Sequence, residues 1–437
     1  MKSRPPLPPG PYLVVGLARS GMAAARMLTE HGEVMGCDFA EPAGAAELEG
    51  VEVRLHSDGL DLLERARTVV KSPGVPREAP VIVAARERGL EVVGELELAW
   101  RQLSNEFIAV TGTNGKTTTV ELLGAIYRAA GEPVEVAGNV GTPLSSLVGR
   151  ADPAATVVCE ASSFQLEDAT EFAPECAVLL NVTEDHLDRH GTFEDYLAAK
   201  LRIFQHQDED DVAVLPSGFA GQQGRARTLR FGSPDADLAE RDGELWWEGV
   251  RMMDAAELRL RGRHNLENAM AASAAALARG IAEEPLCDAL RTFAGVPHRL
   301  EEVAERDGVL FVNDSKATNV ASALVGIEAF DGGVHLIAGG SLKGGGFGGL
   351  REAVVQRCRA CYLIGEAADR LEADLAGSVP LKRCGDLEHA VEAAATAAQP
   401  GEVVLLSPAC ASYDQFENFE ERGDRFRALA REIAARG

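Results

Sequence analysis

Val110-Thr111-Gly112-Thr113-Asn114-Gly115-Lys116-Thr117-Thr118 follows the apolar run Phe107-Ile108-Ala109 and precedes the helical run Val120-Glu121-Leu122-Leu123. Strand, glycine-rich turn and helix in this order make a phosphate cradle. Gly112 and Gly115 free the backbone so that successive N–H groups face phosphate oxygens. Lys116 can neutralise β/γ charge, and the Thr117 hydroxyl can reach Mg²⁺. The strict phosphate-loop spacing asks for glycine at position 110, where Val110 stands, so the stretch is a shortened variant. It reads as an ATP site in an α/β domain with a mostly parallel sheet.

Upstream, Tyr12-Leu13-Val14-Val15-Gly16, a helix from about Ser20, Glu33-Val34-Met35-Gly36-Cys37-Asp38, Val51-Glu52-Val53-Arg54 and Thr68-Val69-Val70-Lys71 alternate strand with helix. The alternation argues a Rossmann-like domain over residues 1–103. Its first loop, Gly16-Leu17-Ala18-Arg19-Ser20-Gly21, carries Ala18 where a dinucleotide pyrophosphate needs glycine, which weakens a nicotinamide oxidoreductase reading. Asp38 closes the second strand and could accept hydrogen bonds from a sugar or base. A tight turn with a strand-end cap explains the same residues equally well.

Downstream, the strands Thr156-Val157-Val158-Cys159-Glu160 and Cys176-Ala177-Val178-Leu179-Leu180 and the alanine-rich helix after Asn265 carry a central domain over residues 104–298. A third, again Rossmann-like, restarts with Val309-Leu310-Phe311-Val312 and runs through Val334-His335-Leu336-Ile337 and Val403-Val404-Leu405-Leu406, over residues 299–437. The expected fold is therefore α/β in three domains, and no short repeat points to a solenoid.

The 437 residues carry a formal net charge of −25, which opposes binding to phosphate-rich polymers and excludes nucleic acid as the main partner. A small anionic substrate needs only a few focused cations, and Lys116, Arg299, Lys316 and Lys343 stand out. Eight cysteines spread along the chain read as buried thiols, and the lone Cys358-x-x-Cys361 lacks the second pair that zinc would want. The start Met1-Lys2-Ser3-Arg4-Pro5-Pro6 has no apolar signal core, and no apolar run reaches the roughly 18 residues of a membrane span. A cytoplasmic monomer is expected.

Two further stretches bear on metal chemistry. Glu160 ends a strand, where open α/β sheets present ligands, and Mg²⁺ takes oxygen donors with few from protein. His186, in Asn181-Val182-Thr183-Glu184-Asp185-His186-Leu187-Asp188, also follows a strand, although a lone histidine is more often a structural hydrogen-bonder. Lys200, in the helical run Phe193 to Phe204, reads by composition as a solvated surface lysine.

Taken together, the phosphate loop, Glu160-Ala161-Ser162-Ser163-Phe164-Gln165 and Asp185-His186-Leu187-Asp188 resemble the Mur ligase superfamily, which includes folylpolyglutamate synthase. In the C-terminal third, Asn313-Asp314-Ser315-Lys316-Ala317-Thr318-Asn319, Ser407-Pro408-Ala409-Cys410-Ala411-Ser412-Tyr413-Asp414-Gln415-Phe416 and Phe419-Glu420-Glu421-Arg422-Gly423 are similar to the branch that adds D-glutamate. The resemblance implies an ATP-dependent amide ligase that joins D-glutamate to UDP-N-acetylmuramoyl-L-alanine through an acyl phosphate, in peptidoglycan precursor synthesis.

It further implies that Gly112, Thr113, Asn114, Gly115, Lys116, Thr117 and Thr118 hold the ATP phosphates, with Asn268, Arg299 and Asp314 also on ATP. Thr117 and Glu160 would serve one Mg²⁺ and His186 and Lys200 a second. Lys200 would be carbamylated, since a carbamate offers a metal anionic oxygens where an ammonium repels it. The uridine nucleotide would lie near Arg19, Ser20, Asp38, Gly74, Asn139 and Ser162. Phe39 and Ala40 follow Asp38, where the family often has threonine and then a basic residue. Thr318 and Lys343 would hold the α-carboxylate of D-glutamate, Ser412 and the Phe419 backbone its side-chain carboxylate. Lys316 is the candidate for stabilising the tetrahedral intermediate, an ion pair with Asp314 or Glu301 being the structural alternative. A P-loop switch that drives partner binding and another amide ligase such as folylpolyglutamate synthase are the competing readings.

Overall fold

The computed structural model describes residues 2, 4–221, 224–260, 262–342 and 346–436. Lys343 lies outside them. Among the described residues the strands form three sheets. The first is fully parallel, in the order Val51–Leu55, Val34–Asp38, Tyr12–Val15, Thr68–Lys71, Glu91–Gly94. Tyr12–Val15 and Thr68–Lys71 are buried throughout, as the unbroken apolar run of a two-faced parallel strand requires. The strand order reverses between these two, so the loops that follow them open on one crevice. Helix Arg19–Leu28 leaves the first loop so tightly that a Cβ on Gly21 would stand 1.8 Å from the Gly16 carbonyl oxygen. Glycine at position 21 is therefore a packing requirement.

In the second sheet the strands run Val250–Asp254, Glu244–Trp247, Leu238–Arg241, Arg227–Phe231, Val212–Pro216, Cys176–Leu179, Phe107–Thr111, Thr156–Glu160, Val134–Gly138. Phe107–Thr111 lies parallel between Cys176–Leu179 and Thr156–Glu160, so the phosphate loop, Glu160 and residues 180–186 all emerge at one end of the sheet. Helices Lys116–Ala129 and Arg263–Ala278 share one core, to which the second brings mainly alanines. The ribbon from Leu238 to Asp254 is antiparallel and turns at Asp242-Gly243 (φ 52° and 83°) and Glu248-Gly249 (φ 45° and 83°). Two successive left-handed residues suit two-residue hairpins.

A third sheet follows the order Glu301–Arg306, Val309–Asn313, Val403–Leu406, Val334–Gly339, Cys358–Ile364, Leu381–Gly385, parallel except for its first strand. By contacts, residues 1–259 with 263–293 form one compact unit that holds the first two sheets, and residues 260–262 with 294–437 form another that holds the third. The cysteines are all free, and Cys358 and Cys361 are buried. Among the described residues no helix is long and apolar enough to cross a membrane.

Candidate active site

Gly115 caps the helix Lys116–Ala129 in a left-handed conformation (φ 86°), and a Cβ there would stand 2.1 Å from Asn268 Oδ1. Glycine thus serves both the turn and the approach of Asn268, which the structure brings to the loop. The Lys116 ammonium folds back to donate to the Gly112 and Thr113 carbonyls, 2.9 Å each. Asn181 clamps the loop from outside: its Oδ1 accepts from the Asn114 amide at 2.9 Å and its Nδ2 donates to the Asn114 carbonyl at 3.1 Å. Thr113 Oγ1 lies 3.0 Å from the Tyr196 hydroxyl and accepts from the Thr183 amide at 3.1 Å. Thr117 and Thr118 are buried in the first helical turn.

Lys200 is not a surface residue. The residue is 1 % exposed, its ammonium donates to the Gly112 carbonyl at 2.7 Å, and it sits 4.4 Å from the centre of the Tyr196 ring. Burial, and secondarily the charge of Lys116, pulls its pKa down to about 7. An amine in that state is a competent nucleophile toward CO₂. His186 takes a left-handed turn (φ 52°) with its ring 4.9 Å from Phe164 and 6.4 Å from Tyr196, so both residues stand against one aromatic cluster.

Glu160 is buried at its strand end; Oε1 accepts from Asn139 Nδ2 at 3.0 Å, and Oε2 has no hydrogen-bond partner. Among the described residues no group of three His, Cys, Asp or Glu side chains could hold a metal. A cation that keeps most of its water needs fewer protein donors, and an orphaned carboxylate oxygen beside a phosphate loop fits Mg²⁺.

A cavity of about 440 Å³ opens at the crevice of the first sheet, lined among others by Arg19, Ser20, Asp38, Gly74 and Asn139. Asp38 acts as the strand-end cap: Oδ2 accepts from the Leu17 amide at 2.7 Å and Oδ1 from the Ala40 amide at 2.8 Å, while the residue also walls the cavity. Ser162 caps the helix Ser163–Leu166 in a reciprocal box with Gln165, and it is Gln165 that reaches the cavity wall. Ser72 and Pro73, which nothing local in the sequence singles out, join the lining, as does Phe39, the residue that follows Asp38.

In the second unit, Arg299 stands between two left-handed residues, His298 (φ 63°) and Leu300 (φ 46°). Two such positions in non-glycine residues are costly and persist only where the surrounding structure holds them. Asp314 is buried, accepts from Ser407 Oγ at 2.7 Å and from the Leu300 amide at 3.3 Å, and burial raises its pKa to about 7. Lys316 is half-buried and its amide donates to the His298 carbonyl at 3.0 Å. Glu301, its suggested structural partner, pairs with Arg427 at 2.9 Å.

Thr318 and Ser412 lie on loops joined by a residue to which the sequence reading gave no role. Arg422 is 1 % exposed; its guanidinium donates to the Ser315 hydroxyl and carbonyl, both at 2.9 Å, and to the Cys410 and Ala411 carbonyls at 3.1 and 3.2 Å. Burial pulls its pKa down to about 10. Ser315 Oγ in turn donates to the Phe419 carbonyl at 2.8 Å, which fixes the start of helix Phe419–Ala435.

Residues 11–94 match the Mur ligase MurD-like N-terminal domain, 110–276 the Mur ligase middle domain and 298–410 the Mur ligase glutamate ligase domain. The UDP-N-acetylmuramoylalanine--D-glutamate ligase of Acidobacterium capsulatum is 44% identical over 449 residues, covering 97% of this chain and 96% of its own. The enzyme of that name from Geobacter metallireducens is 44% identical, with 95% and 96% covered, and that from Anaeromyxobacter dehalogenans 45%, with 96% and 97%. Among solved structures, UDP-N-acetylmuramate-alanine ligase MurC of Thermotoga maritima shares the fold at a TM-score of 0.61 and 19% identity, over 97% of this chain and 99% of that one. MurF ligase of Thermotoga maritima, solved in complex with ADP, shares it at 0.59 and 20%, over 93% and 97%. With such identity to these relatives maintained over nearly the full length, the chain belongs to the Mur ligase family, in its branch of UDP-N-acetylmuramoylalanine--D-glutamate ligases.

Proposed function

We propose that this protein joins D-glutamate to UDP-N-acetylmuramoyl-L-alanine at the expense of ATP, giving ADP and phosphate, in peptidoglycan precursor synthesis. The observation that carries the chemistry is the convergence of Lys116 and Lys200 on the phosphate loop through the Gly112 carbonyl. The relatives' names carry the substrates. A P-loop switch has no use for the second constellation around Arg299, Asp314 and Lys316.

A carboxylate oxygen is too poor a leaving group for amide formation in water, so the alanyl carboxylate first attacks the γ-phosphorus and ADP departs. The D-glutamate amine then attacks the acyl carbonyl, loses a proton, and phosphate leaves with the original carboxylate oxygen. In the first step, positioning and charge neutralisation do most of the catalysis. Lys116, the amides of residues 112–118 and Asn268 supply them, with Arg299 and Asp314 on ATP. In the second, Lys316 stabilises the oxyanion. Two Mg²⁺ ions, one on Thr117 and Glu160 and one on His186 and a carbamylated Lys200, would neutralise the phosphoryl charge when bound.

The cavity bearing Arg19, Ser20, Asp38, Gly74 and Asn139 takes the uridine nucleotide, with the exposed ring of Phe39 offered at its rim and Ser162 setting Gln165. Thr318, Ser412 and the Phe419 amide at a helix N-terminus receive D-glutamate, together with Lys343. The division into residues 1–103 for the nucleotide sugar, 104–298 for ATP and 299–437 for the amino acid is supported by one sheet in each. We place the monomer in the cytoplasm, where ATP is available and where eight free cysteines are stable. Substrate labelled with ¹⁸O in the alanyl carboxylate tests the route: one label should appear in the released phosphate, and unlabelled phosphate excludes the acyl phosphate.

A further inference from the structure

Arg189 follows His186 in the short helical turn Leu187–His190 and makes no contact that its local sequence foretells. Its guanidinium reaches the loop that walls the nucleotide cavity. Nη2 donates to the Val75 carbonyl at 2.6 Å and to the Pro73 carbonyl at 3.2 Å, and Nη1 approaches the Gly74 carbonyl at 3.4 Å. Pro73, Gly74 and Val75 all line the cavity. The same guanidinium lies 4.7 Å from the centre of the Phe164 ring. Phe164 packs 4.9 Å from the His186 ring and stacks on His190 at 5.2 Å, and His190 Nε2 is 3.0 Å from the buried Ser163 hydroxyl. Nε of Arg189 is buried without a hydrogen-bond partner.

From Lys71, at the end of the strand before the loop, the ammonium also donates to the Val75 carbonyl, at 3.1 Å, and pairs with buried Asp168 at 2.7 Å. Two cations therefore hold one edge of the loop by its carbonyls. Both the cavity loop and the His186 turn lie in the first compact unit.

We infer that Arg189 is a positioning residue that couples the seat of the nucleotide sugar to the His186 turn. A planar guanidinium can donate in its plane to three carbonyls while its face rests on an aromatic ring; an ammonium cannot do both. Loop residues 73–75, pressed outward by a seated nucleotide, move the guanidinium, and the guanidinium moves Phe164 and with it the ring of His186. Binding in the cavity at the first sheet thereby reaches the phosphate end of the second. Lysine at this position keeps the charge and loses the coupling. The inference rests on the cavity being the nucleotide-sugar site.

The test is steady-state kinetics of the full-length enzyme and its Arg189→Met, Arg189→Lys, His186→Ala, Asp38→Ala and Arg189→Met/His186→Ala variants, with thermal melts reporting folding. Misplacement of about 1 Å far from the chemistry costs up to ~100-fold. Arg189→Met is therefore expected to lower kcat about tenfold and to raise KM for the nucleotide sugar, with KM for ATP held within about twofold. Arg189→Lys should resemble Arg189→Met, and the double variant should lose much less than the product of the single losses. Fully multiplicative losses overturn the coupling, as does an Arg189→Lys enzyme with native constants. If Arg189→Met does not fold, the Arg189→Lys constants and a cycle of that variant with His186→Ala decide. Asp38→Ala separates the two levels: an unchanged KM for the nucleotide sugar removes the cavity assignment itself, whereas a raised KM beside a silent Arg189→Met removes the coupling alone.

Discussion

Lys200 donates to the carbonyl of Gly112 at 2.7 Å from a position that water does not reach. Lys116 donates to the same oxygen, so two ammonium groups compete for one small region beside the expected phosphates. Conversion of Lys200 to a carbamate removes the repulsion and supplies anionic oxygens. Lys200→Ala should therefore lose turnover by about 100-fold or more, the scale of losing a metal-borne charge stabiliser. Short carboxylic acids added to the assay should restore part of it. Unimpaired turnover in the variant would remove the carbamate.

Glu160 leaves one buried carboxylate oxygen unpartnered while Asn139 holds the other. Glu160→Gln keeps the shape and removes the charge, and a Mg²⁺ titration of turnover should show a raised half-saturating concentration with kcat down roughly 10- to 100-fold. A variant with the native Mg²⁺ dependence would show that this oxygen faces no cation.

The sites were legible in the sequence to different depths, for physical reasons. The phosphate loop was readable because strand, glycines, lysine and helix are contiguous and each is needed locally. Glu160 was readable because a strand end is a place with known uses. Lys200 carried a signal that composition hides: Tyr196, Lys200 and Ile203 fall on one helical stripe, and all are buried, so the lysine occupies a core-facing position. The Asp242-Gly243 and Asp307-Gly308 hairpin turns follow familiar turn chemistry. Asn181, Tyr196, Arg189 and Arg422 were not readable in role, because their partners lie far along the chain and only the fold brings them together. Ser162 was readable as part of a motif but not as the cap that turns Gln165 to the cavity.

Gly423 sits in helix Phe419–Ala435 directly under His298, where an added Cβ would stand 2.1 Å from the imidazole Nδ1. That ring nitrogen lies 3.1 Å from Asn313 Nδ2, and His298 adjoins Arg299. Gly423→Ala should cost about 1–3 kcal/mol of overpacking and lower the melting temperature of the second unit. It should also raise KM for ATP by displacing Arg299. Native stability and native KM together would show that His298 yields freely.

Glu95 is wholly buried; Oε1 accepts from the Ser145 amide at 2.6 Å, Oε2 has no partner, and burial raises its pKa to about 7. In the unfolded chain a glutamate titrates near ~4.3. Below that, both states are protonated and no penalty exists. Between about 4.3 and 7 the folded state holds the proton that the unfolded state has lost, so stability falls as pH rises. Above 7 the penalty is constant, on the order of 3 kcal/mol for the shift given. Glu95→Gln mimics the protonated form. Its urea midpoint should match that of the native protein near pH 4.5 and exceed it at pH 8, and an advantage that shrinks with rising pH would contradict the assignment.

Ligation of D-glutamate is measured by ADP release from the purified protein with UDP-N-acetylmuramoyl-L-alanine and a panel of amino acids. ADP should form with D-glutamate and stay at background with L-glutamate, L-alanine, meso-diaminopimelate and no amino acid. Equal or faster release with any other amino acid, or release that ignores the nucleotide sugar, would rule out D-glutamate ligation by this protein.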